Sequence, residues 1–429
     1  MHNNKKIKNQ KGFAAIFATI LVLGSIFIIT ISLNTLTLGQ QKISSNALVA
    51  SKAYYAAEAG LEDALLRLKK NPAITSLSYS FNIGGETVSV SIPETIGGSR
   101  TITSDGNVSN RARKVQAVYA IDASEAAFYY GVQVDEGGVI MGNNARIVGN
   151  VFSNGSVISS GRGYVNNNIV VAGNENYISG LKVGGDALVY KCQNSKIGGD
   201  LTYVAGGSTN CTVSGSTIQQ PDEIPPGTLP ISPAQIQEWK GQAALGGVIP
   251  DNVSFSGNGG SSSLGPVQIG TQEQPRNLTI SNNFRLKVAG TIYVTGDVSF
   301  ENNSIIELDP SYGSFSGMII ASGKINVSNN AILRGSGQAG SYILILSTNN
   351  SLNPSSPAIN VGNNAQGAIF YTTSGLIYLN NNMVAREVTG YKIRINNNAQ
   401  VLYEVGLEHV VFTSGPGGSF RVEDWREIE

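Results

Sequence analysis

Side chains able to do chemistry are sparse in this chain of 429 residues. Only His2 and His409 are histidines, so a histidine metal site or a Ser/Cys–His nucleophile would rest on one imidazole outside the first few residues. Two cysteines, Cys192 and Cys211, stand 19 residues apart; outside the cytoplasm such a pair reads as a disulfide, or else as two separate buried thiols. Hydrolysis or elimination on a polysaccharide needs carboxylates clustered on one face, and Asp186 and Asp200, 14 residues apart, are the candidates. Both follow Gly-Gly, and Asp in such a turn bonds its own backbone. Tyr129, Tyr130, Tyr164, Tyr177 and Tyr190 either line a sugar-binding face or cover strand flanks. Calcium-binding glycine–aspartate nonapeptides are missing. The expectation is therefore no enzyme, no metal and no cofactor.

Charge narrows the partners further. Lys plus Arg is 29 and Asp plus Glu is 29, so no net field draws the chain to nucleic acid. Charged residues make up 14%, while glycines number 51, a bias toward turns and β structure.

What must position any surface chemistry is the stretch FAAIFATILVLGSIFIITISL, residues 13–33, which holds no charge, no Pro and one Gly. At about 1.5 Å per residue it makes a helix of roughly 30 Å, the thickness of a bilayer's hydrocarbon core. The apolar core is too long for an ordinary cleaved secretory signal, and a soluble protein's buried helix rarely stays apolar on every face. Lys5, Lys6, Lys8 and Lys11 precede it and no charge follows until Lys42, so the amino end is expected in the cytoplasm and the rest outside. Beyond the span Ile43, Ala47, Ala50, Tyr54, Ala57, Leu61, Ala64 and Leu68 recur at steps of four and three, a heptad seam for helix packing. Asn71-Pro72 ends the helix.

The leader MHNNKKIKNQKG, closing on Gly12 before Phe13, resembles a type IV prepilin signal. That resemblance implies a prepilin peptidase cutting between Gly12 and Phe13. Most major pilins carry Glu at the fifth mature position, where this chain has Phe17, a departure that favours a minor or tip component. The segment AYYAAEAGLEDAL, residues 53–65, resembles the helix of PilX-like minor pilins. Together these imply packing with other pilin-like subunits through the helix.

Residues 79–121 alternate short β-prone runs with glycine turns and read as an antiparallel meander; the pilin resemblance implies that it covers half of the long helix. From about residue 128 short Val/Ile strands alternate with Asn-Asn, as in MGNNARIVGNV, VSNNAILRG and INNNAQVLYE. Markers at Asn283, Asn303, Asn330, Asn350, Asn364, Asn381 and Asn397 give steps mostly of 14 to 20 with one of 27, a β-solenoid period; a β-sandwich is the alternative. The expected division is a leader 1–12, transmembrane helix 13–33, helix extension 34–71, β head 72–125, solenoid block 126–219, Pro/Gly/Ser-rich insert 220–266, second block 267–415 and polar cap 416–429. The fold class is α+β joined to all-β. The expected function is a minor or tip component of a type IV pilus-like system, displaying a solenoid some 60 Å outward toward a surface glycan or protein. The alternatives are a membrane-anchored polymerising scaffold similar to bactofilins and a polysaccharide-acting β-helix enzyme.

Overall fold

A computed structural model describes residues 11–70, 74, 76–93, 99–121, 123–126, 128–204, 208–220, 224–413 and 420–428. The leader before Lys11 and the Asn71-Pro72 helix stop lie outside the described residues.

Helix α1, Lys11–Lys70, is unbroken for 60 residues, about 90 Å of α-helix. Its first half is exposed on every side, with Phe13 at 74% and Phe27 at 67% exposure, and its most apolar window has mean hydropathy 2.6. Hydroxyls in this half turn inward to the helix: Ser25 Oγ donates to the Leu21 carbonyl at 2.8 Å and Thr30 Oγ1 to that of Ile26 at 2.7 Å. Such back-bonding satisfies a hydroxyl without water, and the half fits a single-pass membrane anchor.

The second half packs on a five-stranded antiparallel sheet: β1 Leu77–Ile83, β2 Glu86–Ile92, β3 Ser99–Val108, β4 Arg111–Ile121, and at its edge the C-terminal strand Phe420–Ile428. Val88, Val90 and Ile92 alternate inward on β2 and meet Ala56, Ala57, Leu61, Ala64 and Leu68 of α1. Small residues let the helix lie close. A Cβ on Gly106 of β3 would run into the Ala53 carbonyl and the Ala57 nitrogen, and one on Gly60 into Ser104 and Val88.

The C-terminal strand corrects the expectation of a cap at 416–429. It pairs with β4 from Lys114↔Ile428 to Ile121↔Phe420, completing the head rather than covering a solenoid edge. Alternation of polar and apolar residues in FRVEDWREI is edge-strand patterning, and nothing local reveals that its partner lies some 300 residues upstream.

Residues 132–219 and 248–402 form one parallel, three-sided β-solenoid. Its first face is a sheet of 13 strands, roughly 60 Å from end to end at about 4.8 Å per coil. Val, Ile and Leu point inward from all three faces into one continuous core. The chain does not enter this stack at an end. Val132–Val134, the first solenoid strand, lies in mid-sheet between Val151–Ser153 and Glu387–Gly390. From there the chain winds to one end at Thr217–Gln219, crosses to the opposite end at Val248–Ile249, and winds back until Glu387–Gly390 meets the starting strand. A solenoid reaching outward from one end is therefore corrected: it extends to both sides of its attachment. The attachment is a two-stranded antiparallel pair, Ala123–Ala126 with Val410–Thr413.

The crossing segment is bonded to and packed on the first face. Gln133 Nε2 donates to the Thr228 carbonyl at 2.7 Å, and Asn154 binds Gly227 through both its amide atoms, tying the segment to the first face. Helix α2, Pro233–Leu245, follows, with Ser232 Oγ accepting from the Gln235 nitrogen at 3.2 Å and Pro at the start. Ile236, Trp239 and Ala243 press on Tyr293, Met318, Leu344 and Tyr371 of the first face. The insert ends near residue 247, not 266. Ser261–Leu264, inside the expected insert, is a solenoid strand paired with Arg285–Val288: Ser261 and Ser263 face solvent at the end of the stack, while Ser262 and Leu264 turn toward the core.

Candidate functional site

The Asn run at residues 166–168 stands at the corner between the third and first faces; most of the Asn-Asn pairs mark the corner between the second and third. Asn144, Asn283, Asn303, Asn330, Asn364, Asn382 and Asn398 hold positive φ there, the left-handed conformation that Asn tolerates. The corners stack: Asn283 Nδ2 donates to Asn258 Oδ1 at 2.9 Å, and the Asn363 backbone nitrogen to Asn329 Oδ1 at 3.0 Å across 34 residues. That 34-residue coil removes Asn350 from the corner set; it sits in a longer excursion of the same coil. The junction of the two blocks uses the same chemistry, with the Asn143 nitrogen donating to Asn397 Oδ1 at 2.8 Å across 254 residues.

Asp186 and Asp200 do stack on successive coils, but as rungs of a second ladder. Asn150 Oδ1 accepts from the Asn168 nitrogen, Asn168 Oδ1 from Asp186, Asp186 Oδ1 from Asp200 at 2.8 Å, and Asp200 Oδ1 from Ser216 at 2.7 Å. One oxygen of each carboxylate is thus engaged in holding the coil spacing. Cys192 and Cys211 are joined by a disulfide with Cα atoms 6.3 Å apart, and Cys192 faces the core. The bridge ties the last coil of the first block to the one beneath it.

Glu387 is a carboxyl that the sequence reading did not single out. It is fully buried on the first face where the second block meets the first, in register with Ile369. Thr389 Oγ1 donates to its Oε1, while Oε2 has no partner among the described residues. Burial holds its pKa well above the ordinary carboxylate range, the Thr389 bond opposing only in part. Near it Tyr371 donates to the Ile231 carbonyl at 2.8 Å and Tyr403 to that of Phe128 at 2.5 Å. The only sequence signal for Glu387 is a charged residue at the start of an otherwise β-prone run. No group of three His, Cys, Asp or Glu able to hold a metal occurs among the described residues.

The tyrosines divide. Tyr129 and Tyr130 border a groove with Gln133, Phe152 and residues 227–230. Tyr164 lies on the third face between two cations, and Lys191 lies over the Tyr190 ring. Tyr177 begins a second-face strand.

On the helix, Ala57, Leu61, Ala64 and Leu68 are buried against the head and Tyr54 is half-buried, its hydroxyl 2.9 Å from Glu58 Oε1. Ala50 is partly covered, whereas Ile43, at 69% exposure, and Ala47, which borders a groove with Arg113 and Glu427, are exposed. Phe13 starts the exposed half, immediately after Gly12.

No curated protein matches the chain. The solved structure of competence-associated pilin ComZ from Thermus thermophilus aligns with 89% of this chain and 97% of its own at 10% identity, with a TM-score of 0.20, too weak a likeness to assign a fold or a role. Residues 11–62 match the PilX N-terminal family model, and the N-terminal region is type IV pilin-like.

Proposed function

We propose that this chain is a minor or tip component of a type IV pilus-related system, with the solenoid as its outward contact surface for adhesion. The carrying observation is that the pilin-like head is closed by the chain's own C-terminal strand, so the solenoid is an insertion into the head rather than a tail. Two chain segments hold it at mid-stack, which presents a broad flank rather than a narrow tip. The helix anchors in the cytoplasmic membrane with the basic leader inside, and Ile43 and Ala47 remain available to helices of other subunits. Prepilin peptidase cuts between Gly12 and Phe13. The reading assigns no catalysis, since Asp186 and Asp200 serve the ladder.

Intact mass of the protein from cells with and without the peptidase tests this, together with a search of sheared surface filaments. A chain starting at Phe13 only where the peptidase is present, and recovered in the sheared fraction, is expected. An uncut chain in both strains overturns the pilin pathway.

A second reading, a polymerising scaffold, draws on the two ends of the stack: among the described residues the strands Thr217–Gln219 and Val248–Ile249 each pair on one side only, with Ile218 and Val248 both 49% exposed. Concentration-dependent end-to-end assembly of the purified chain would favour it.

A further inference from the structure

The third face carries a row in which one residue per coil points outward, in register through the pairings Gln400↔Arg146, Arg146↔Tyr164, Tyr164↔Lys182 and Lys182↔Lys196. Arg146, Lys182 and Lys196 are exposed. Among the described residues no carboxylate forms an ion pair with any of the three. The third face of the second block behaves differently: Arg285, which continues this row, and Arg334, in the neighbouring outward row, both close on Glu307, at 3.0 and 2.5 Å. A chain with no net charge thus leaves three cations uncompensated along one line of one block.

Tyr164 organises the line. The Arg146 guanidinium lies 5.4 Å from its ring centroid and the Lys182 ammonium 5.3 Å. Cation–π contact holds both heads near the ring and reduces the freedom they would lose on binding. Counting coils from Arg146, cations stand at the first, third and fourth positions and a phenol hydroxyl at the second, with a step of about 4.8 Å. That step is comparable with the length of one pyranose ring in an extended chain.

We propose that this row, Arg146–Tyr164–Lys182–Lys196, binds a linear acidic polysaccharide along the solenoid axis, its uronate carboxylates meeting the cations and the Tyr164 hydroxyl meeting a ring oxygen or hydroxyl. A nucleic acid fits less well. Single strands bind by stacking bases on aromatic faces, and cations lie against the Tyr164 ring. Duplex DNA is held by phosphate contacts in number, and the single row offers three cations. The proposal rests on the reading of the solenoid as a contact surface, and its test is separable from that reading.

The full-length chain, purified in detergent, is titrated with polygalacturonate, with neutral dextran and with duplex DNA as comparisons. Binding of polygalacturonate alone is expected, weakening as salt shortens the screening length from about 10 Å at 0.1 M to about 3 Å at 1 M. The triple variant Arg146→Ser, Lys182→Ser, Lys196→Ser should lose about tenfold or more in affinity with an unchanged melting temperature, since three charge-assisted contacts go and no core contact does. Lys182→Arg should retain binding. Absence of binding, equal binding by the triple variant, or tighter binding of the duplex overturns the proposal. Binding by the purified chain whose solenoid is inaccessible to protease on intact cells upholds the site and overturns the display reading instead.

Discussion

The head and the solenoid solve the same problem, closing a β structure, with opposite means. In the head a helix lies so close to an antiparallel sheet that Gly60 and Gly106 have no room for a Cβ, and specificity resides in small-residue packing. In the solenoid closeness is set by backbone pairing, and specificity resides in the corners, where Asn and Asp oxygens accept from the next coil. A defect in the first is global to the head; a defect in the second is confined to neighbouring coils, because each coil touches only the ones beside it.

The largest effect should follow from Gly106→Val, which drives a branched side chain into α1 backbone at Ala53 and Ala57. A loss of about 3 kcal/mol or more is expected in the head, seen as proteolysis of β1–β4 with the solenoid intact; simultaneous loss of both would break the comparison. Next, Cys192→Ser with Cys211→Ser should weaken the end of the first block by about 2 to 4 kcal/mol, read as accelerated hydrogen exchange near residues 208–219 and none in the second block.

Glu387→Gln sharpens the comparison in the other direction. Glu387 keeps its proton in the fold above the pH at which the unfolded chain releases it, so its contribution to stability is whole below the ordinary Glu pKa of 4.5 and is lost as pH rises toward the raised folded value. The neutral amide should therefore raise stability at pH 7 by about 1 to 3 kcal/mol, with little change at pH 4, in paired thermal melts. The smallest effect, about 1 kcal/mol, is expected for Asn397→Ala, which removes the acceptor of the Asn143 nitrogen at the junction; chemical denaturation of the solenoid measures it.

Legibility in the sequence followed the same division. The corners could be read because a positive φ selects Asn locally, and the long helix because its apolar run needs no partner to be recognised. The mid-stack entry could not, since the pairing of Val388 with Val132 joins residues that look like any other Val in the chain. Glu387 and the close approaches at Gly60 and Gly106 escaped for the same reason: their meaning lies in what packs against them. Asp186 and Asp200 were legible as turn residues, and their ladder is that local role repeated along the stack. The tail was misplaced because edge-strand patterning does not name its partner.

That tail offers the most direct test of the account. Cysteines placed at Gln116 and Arg426, which are opposite in the register of β4 and the C-terminal strand, should form a disulfide in the oxidised full-length chain, detected by peptide mapping alongside the Cys192–Cys211 bridge. That bond is the expected result, and it would fix the solenoid as an insertion within the head. Free thiols at both positions, in a folded protein, would contradict it.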